Sequence, residues 1–156
     1  MQARLRTMRD KRAGGDRGFT LIEMLVVVVI IGVLAGISVP LYLNYRKGAE
    51  NKSAESDVRG AITAVEQFYT ENGNVYPATQ NGVLSTNLTF AVAGGVTQVA
   101  TVSTGNTVNY RNNGATYVIC GQNTDGLAIY VFNSLSGRPV GKSIQASLAN
   151  CALNGN

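Results

Sequence analysis

The sequence predicts an α+β protein in which one long N-terminal helix packs on a C-terminal antiparallel sheet. Three observations carry this prediction. Residues 24–43 contain no charged side chain, and as a helix they would cover about 30 Å, the thickness of a bilayer core. Residues 49–71 contain no proline and repeat apolar side chains at helical spacing. From residue 88 onward, segments rich in Val, Thr, Tyr and Ile alternate with Gly and Asn, which is typical of strands.

Glu23 stands at the N-terminal edge of the apolar segment. A carboxylate placed centrally in a membrane helix costs about 2.5 to 3.5 kcal/mol, so Glu23 needs either solvent at the headgroup level or a positive partner. The sequence is compatible with either solvation of Glu23 or a positive partner. Cleavage between Gly18 and Phe19 would create such a partner, because it leaves a free amino group on Phe19. The Glu23 of one subunit would then pair with the Phe19 amine of a neighbour.

The residues from Gly18 to Glu23, GFTLIE, resemble the class III signal sequence of type IV pilins and type II secretion pseudopilins. The family pattern is a basic leader, a Gly, a Phe that becomes the methylated N-terminus, and a Glu at the fifth mature position. All four features match. The resemblance implies the pilin fold, cleavage after Gly18 by a prepilin peptidase, and N-methylation of Phe19. It covers residues 17 to about 77 closely and the remainder only in architecture.

Charge is concentrated in the predicted leader, residues 1–18. This stretch holds six of the 13 cations and two of the nine acids, so the remaining chain is neutral. A neutral chain argues against nucleic-acid binding, which needs clustered Lys and Arg. The basic leader instead predicts a cytoplasmic N-terminus and a translocated body. An ordinary secretory signal cleaved after Ala35 is the alternative, but the apolar run continues past that site.

The chain contains no His and two Cys. A Ser-His-Asp triad and a His-containing metal site are therefore impossible, and we expect no enzyme, no cofactor and no metal ion. In a translocated body, Cys120 and Cys151 are most simply interpreted as a disulfide, with two free thiols as the alternative.

The long helix is expected to run from residue 19 to near residue 72, as a membrane and assembly half over 19–43 and an amphipathic half over 44–74. Gly32, Gly36 and Pro40 weaken its middle, and by resemblance to pilins they would form an assembly hinge. In the second half, one helical face is expected to pack on the sheet. Its apolar residues are Val58, Ala61, Ile62, Val65, Phe68 and Tyr69.

Residues 75–156 are expected to form a globular β-sheet head with a C-terminal disulfide region. The predicted strands are residues 88–92, 96–103, 107–111, 115–120 and 127–132, with residues 107–132 forming an antiparallel meander. Asn113-Gly114 and Asp125-Gly126 mark its turns, and Asn72-Gly73-Asn74 marks the end of the helix.

The resemblance implies a structural subunit of a type IV pilus, serving adhesion, motility or DNA uptake. Its implied partners are copies of itself and other pilins, the prepilin peptidase, a membrane platform protein, an assembly ATPase, and membrane lipid before assembly. Nucleic acid would enter only as uptake cargo. The subunit would be a single-pass membrane protein first and part of an extracellular filament afterwards. The alternatives are a pseudopilin of a type II secretion or competence system and a secreted binding protein.

Overall fold

A computed structural model describes residues 18–156, and the predicted basic leader lies outside them except for Gly18. The chain divides into two compact units, residues up to Leu41 and residues Tyr42–Asn156. Helix α1, Leu21–Glu71, begins in the first unit and ends in the second. Its bounds agree with the predicted helix to within two residues. The helix is uninterrupted through Gly32, Gly36 and Pro40, and the predicted hinge there stays a prediction.

The first unit consists of the apolar part of α1. Its most apolar window of 18 residues has a mean hydropathy of 2.8, and none of it is buried. This helix is long and apolar enough to cross a membrane. The structure therefore agrees with a single-pass membrane anchor near the N-terminus.

The second unit contains a four-stranded antiparallel sheet in the order β3-β4-β5-β6. Its strands are Asn106–Asn112, Tyr117–Asn123, Ile129–Asn133 and Gly141–Lys142. Strands β1, Leu88–Phe90, and β2, Gln98–Ala100, form a separate antiparallel pair. The predicted meander is confirmed. The short edge strand β6 was not predicted, because its two residues are Gly and Lys, which give no strand signal.

The turn signals in the head fall where the sequence places them. Gly114 lies between β3 and β4 with φ of +86°, and Gly73 and Asn74 end α1 with φ of +72° and +60°. At the β4–β5 turn the left-handed residue is Leu127, with φ of +65°, rather than Gly126. Gly126 is needed for space instead, because a Cβ at this position would come within 2.4 Å of the Asn51 side chain of α1.

Strand β4 is buried on both of its faces. Tyr117 and Ile119 belong to the cluster that packs on α1, whereas Val118 and Cys120 belong to a smaller cluster on the other side. That second cluster is covered by helix α2, Leu148–Asn154. Helix α2 was not predicted; it has seven residues and begins with the Ser147 side chain as N-cap.

The helical face that packs on the sheet is largely the predicted one, with a polar exception. Val58, Ala61, Val65 and Phe68 are buried as expected, and Ile62 and Tyr69 are half-buried. Asp57, which the helical wheel places outside the apolar face, is only 8% exposed. It is buried because β3 and the preceding loop supply hydrogen-bond donors to its carboxylate.

Candidate processing and assembly site

Helix α1 begins with a capping box formed by Thr20 and Glu23. The Glu23 Oε2 atom accepts hydrogen bonds from the Thr20 backbone N–H at 2.9 Å and from its hydroxyl at 2.8 Å. The Glu23 backbone N–H donates to Thr20 Oγ1 at 3.3 Å. This reciprocal arrangement satisfies backbone donors that a helix N-terminus leaves unpaired. The T-x-x-E spacing typical of a capping box is present in the sequence, although this contact was not predicted.

The peptide bond predicted to be cleaved is accessible. Gly18 precedes the helix, and a Cβ built on it would meet no heavy atom within 4 Å. The Phe19 side chain is 76% exposed. Nothing in the described chain would therefore obstruct a peptidase at this bond.

Glu23 has no cationic partner within the described chain. Over residues 18–156 the salt bridges involve Arg46, Lys52 and Arg59, all beyond the apolar segment. Around Glu23 the surface is apolar and is formed by Phe19, Ile22, Val26 and Val27. The carboxylate is thus held by its own helix end, and its second oxygen, Oε1, accepts no hydrogen bond from any of residues 18–156.

The residues downstream of Glu23 form a continuous exposed apolar surface. The large apolar side chains from Leu21 to Leu43 are each between 45% and 85% exposed. A surface of this size is far larger than a water-soluble monomer presents. It has to be covered by lipid or by other helices.

In the head, the structure joins Cys120 of β4 to Cys151 of α2 in a disulfide, with the two Cα atoms 6.2 Å apart. The cross-link closes a segment with a sequence separation of 31 residues. It fastens α2 to the central strand of the sheet. The buried faces of the two elements therefore stay in contact through a covalent bond as well as through packing.

Comparison with known proteins bears on the N-terminal part of the chain. Residues 14–39 match the family model described as the prokaryotic N-terminal methylation motif. This segment contains Gly18, Phe19 and Glu23 and ends one residue before Pro40.

Curated relatives align over a somewhat longer segment. A type II secretion system core protein G from Pectobacterium carotovorum subsp. carotovorum is 40% identical over 68 residues, 44% of this chain and 43% of that protein. The type IV major pilin protein PilA of Myxococcus xanthus is 38% identical over 56 residues, 36% of this chain and 26% of that protein. The fimbrial protein EcpC of Eikenella corrodens is 40% identical over 63 residues, 40% of each chain.

Motif and relatives together support one assignment. The methylation motif and these relatives support the assignment of the N-terminal part of the chain to the type IV pilin and type II secretion pseudopilin family. Proteins of the pilin and pseudopilin family are structural and are not enzymes. The chain spans less than half the length of each of the three relatives named above.

The head of this pilin-like protein contains a polar seam between α1 and the sheet. Asp57 Oδ2 accepts from the Ser103 backbone N–H at 2.7 Å and from Asn106 Nδ2 at 2.6 Å. Asn106 Oδ1 in turn accepts from Asn123 Nδ2 at 2.7 Å, and Asn123 also donates to Glu50 at 3.1 Å. These side chains lock the first residue of β3 and the last residue of β4 to one face of α1.

Proposed function

We propose that this protein is a structural subunit of a type IV pilus. The subunit is inserted in the membrane as a prepilin, cleaved after Gly18, N-methylated at Phe19, and polymerised through its apolar helix into a surface filament. The observation that carries the proposal is Glu23, a carboxylate at the start of an exposed apolar helix that has no cationic partner among residues 18–156. A neighbouring Phe19 amine supplies the missing positive charge.

The physical basis of assembly is the exchange of one apolar environment for another. In the membrane, side chains from Leu21 to Leu43 contact lipid, and in the filament they contact the same segment of other subunits. Because burial is largely conserved, extraction from the bilayer needs little net free energy per subunit. In the dry filament core the Glu23 carboxylate would be costly alone, and pairing with an amine offsets that cost.

Several partners follow from this proposal. A membrane-embedded prepilin peptidase processes the N-terminus, and a cytoplasmic ATPase acting through a membrane platform protein drives extraction. Before assembly the N-terminus faces the cytoplasm and the head lies outside. Other pilins join the same filament, and adhesion, motility or DNA uptake is its task.

The choice of a pilus over a secretion pseudopilus is supported by the head. The disulfide between Cys120 and Cys151 ties down the C-terminal region, in the manner of the disulfide-bounded region of pilins. The second candidate is a pseudopilin of a type II secretion or competence system. It is favoured by the relatives named core protein G, of which one from Escherichia coli strain K12 is 41% identical over 70 residues.

The experiment that tests the proposal is intact-mass measurement and N-terminal sequencing of the protein from sheared surface fibres and from membranes. We expect a methylated Phe19 as the first residue in the fibre fraction. The same start found only in membranes would favour a pseudopilin. A start at Gly36 in a secreted fraction would contradict the proposal.

The role of Glu23 is tested by two substitutions that separate charge from helix capping. Glu23→Gln keeps an oxygen that can accept from Thr20 but removes the negative charge, whereas Thr20→Ala removes the cap and keeps the charge. We expect Glu23→Gln, like Glu23→Ala, to insert in the membrane and to yield few filaments. Thr20→Ala should still assemble. Normal filaments from Glu23→Gln would contradict the charge-pair argument.

A further inference from the structure

Charge in the head is segregated along the chain. Residues 60–110 contain two acidic side chains, Glu66 and Glu71, and no Lys or Arg. Residues 127–156 contain two cationic side chains, Arg138 and Lys142, and no Asp or Glu. Neither cation forms a salt bridge within residues 18–156. The head therefore offers unpaired charge of both signs.

The cationic pair belongs to a groove at the outer edge of the four-stranded sheet. Lys142 is on β6, the edge strand, and Arg138 is in the loop that leads into it. Both side chains are exposed. They line a depression of about 420 Å³ together with Val131 of β5 and Ile144, which is 84% exposed.

The acidic side chain that matches this groove lies at the far end of the head. In the four-stranded sheet, β6 pairs with β5, β5 with β4, and β4 with β3. On the other side of β3, Gln80 forms an isolated bridge to Tyr110 of that strand. Gln80 Nε2 donates to the Thr89 carbonyl of β1 at 2.6 Å, and β1 pairs with β2. Glu71 accepts from Gln98 of β2 at 2.5 Å. The neutral amide leaves the charge of Glu71 uncompensated.

We propose that the groove bearing Lys142 and Arg138 on one subunit binds the end of the head bearing Glu71 on the next copy of the chain. Opposite charges at opposite ends of one head cannot pair with each other. Two complementary patches at different places on a subunit form a head-to-tail contact, which propagates into an open filament instead of closing into a dimer. This inference rests on the proposed function. It adds a contact between the globular heads of neighbouring subunits to the contact between their helices.

The contact is expected to steer and align subunits more than to hold them. An exposed ion pair contributes at most about 1 kcal/mol, or about fivefold in an equilibrium constant. Reversing one charge replaces this attraction by repulsion of similar size. The contacts between the apolar helices of neighbouring subunits would remain. We therefore expect charge-reversed variants to give a lower filament yield with unchanged processing and membrane insertion.

The test is a charge exchange in the full chain, read out as the ratio of protein in sheared filaments to protein in membranes. Lys142→Glu and Glu71→Lys should each lower this ratio at least about fivefold, because each loses the attraction and gains a repulsion. The double variant should restore it to near the wild-type value. Arg111→Glu is the matched control, since Arg111 lies on β3 outside the groove. It should not lower the ratio, and it should not rescue Glu71→Lys.

The outcomes of this experiment test the head contact and the proposed pilus separately. Low yield in the exchanged double variant, or wild-type yield in both single variants, overturns the head contact while leaving the proposed pilus intact. Absence of wild-type filaments overturns both. Lys142→Gln provides a milder variant, and a far-UV and near-UV circular dichroism spectrum like that of the wild type shows that each variant head is folded.

Discussion

At the scale of single residues, Asp57 shows how a buried carboxylate is tolerated without a cation. Its two oxygens accept hydrogen bonds from the Ser103 backbone N–H, the Ser103 hydroxyl and the Asn106 amide at 2.6 to 2.9 Å. Burying a charge is costly unless it is hydrogen-bonded. These three donors give the carboxylate a role in fixing the start of β3 against α1.

Replacing Asp57 by Ala should therefore be much more damaging than removing an exposed acid. We expect Asp57→Ala to lower the free energy of unfolding by about 2 to 3 kcal/mol, because buried donors on Ser103 and Asn106 lose their acceptor. The control is Asp125→Ala, which breaks the exposed pair with Arg46 and should cost less than about 1 kcal/mol. Denaturant unfolding of the detergent-solubilised chain measures both, and equal losses would contradict the account.

Tyr117 is a second buried polar residue with a defined consequence. Burial raises the pKa of its phenol well above the ordinary value, and the hydrogen bond that its hydroxyl donates to the Glu66 carboxylate at 2.6 Å raises it further. A group with a raised pKa in the folded state stabilises the fold below the pKa of the unfolded chain, about 10 for Tyr. That stability is lost as pH rises further.

We expect the free energy of unfolding to fall as pH increases above about 10. In Tyr117→Phe this decline should be shallower, because one of the buried phenols is gone. Tyr110, whose pKa is also raised by burial, should account for much of the remaining slope. Unfolding curves at several pH values between neutral and strongly alkaline would show this. An identical slope in Tyr117→Phe would exclude the role given to this phenol.

At the scale of elements, the packing of α1 on β4 depends on Gly121. A Cβ at this position would lie 2.5 Å from Val58 Cγ2 and 3.3 Å from the Ala54 carbonyl oxygen. No side chain larger than hydrogen fits there without moving the helix. The close approach is a packing requirement and has no connection with unusual backbone angles.

Two glycine substitutions should consequently have opposite effects. Gly121→Ala should destabilise the head by about 1 to 3 kcal/mol, as expected for overpacking of a filled core. Gly60→Ala, on an open stretch of α1, should stabilise it by about 0.5 to 1 kcal/mol through better helix propensity. Thermal unfolding of both variants gives the comparison. A neutral Gly121→Ala would mean that α1 can shift away from β4.

The sequence was sufficient for the elements whose signals are local and repeated. The membrane-length apolar run, the i, i+3, i+4 face ending at Phe68, and the Asn113-Gly114 turn each specified a feature that the structure contains. The separation of β1 and β2 from the main sheet was not predictable in this way. It depends on Gln80, a loop residue that occupies the position beside β3 where another strand could have paired.

The polar contacts around the candidate site residues were not predicted. Gly18, Phe19 and Glu23 were identified from their order, but the partner of Glu23 in the folded chain, Thr20, was not. Asp57 is not part of the predicted helical face, because that face was identified from apolar side chains only. Its burial depends on donors that are 46 and 49 residues away in the sequence, which no local pattern encodes.

At the scale of the whole molecule, the C-terminal region is held by a covalent bond. The chain-entropy model gives about 3.7 kcal/mol for closing a loop of this size. We expect reduction with dithiothreitol to lower the melting temperature clearly and addition of EDTA to leave it unchanged, because no metal ion is expected. A large effect of EDTA would instead reveal a bound metal ion and contradict this expectation. Double replacement of Cys120 and Cys151 by Ala controls for nonspecific effects of the reductant.

The position of the disulfide also determines how a subunit responds to mechanical load. A chain pulled from both ends can lengthen only through segments that are not bypassed by a cross-link. The segment between Cys120 and Cys151, with its separation of 31 residues, would otherwise extend by about 110 Å. With the bond intact, tension passes from β4 directly into α2, and strands β5 and β6 are excluded from the load path. Single-molecule stretching under oxidising and reducing conditions would differ by this hidden length.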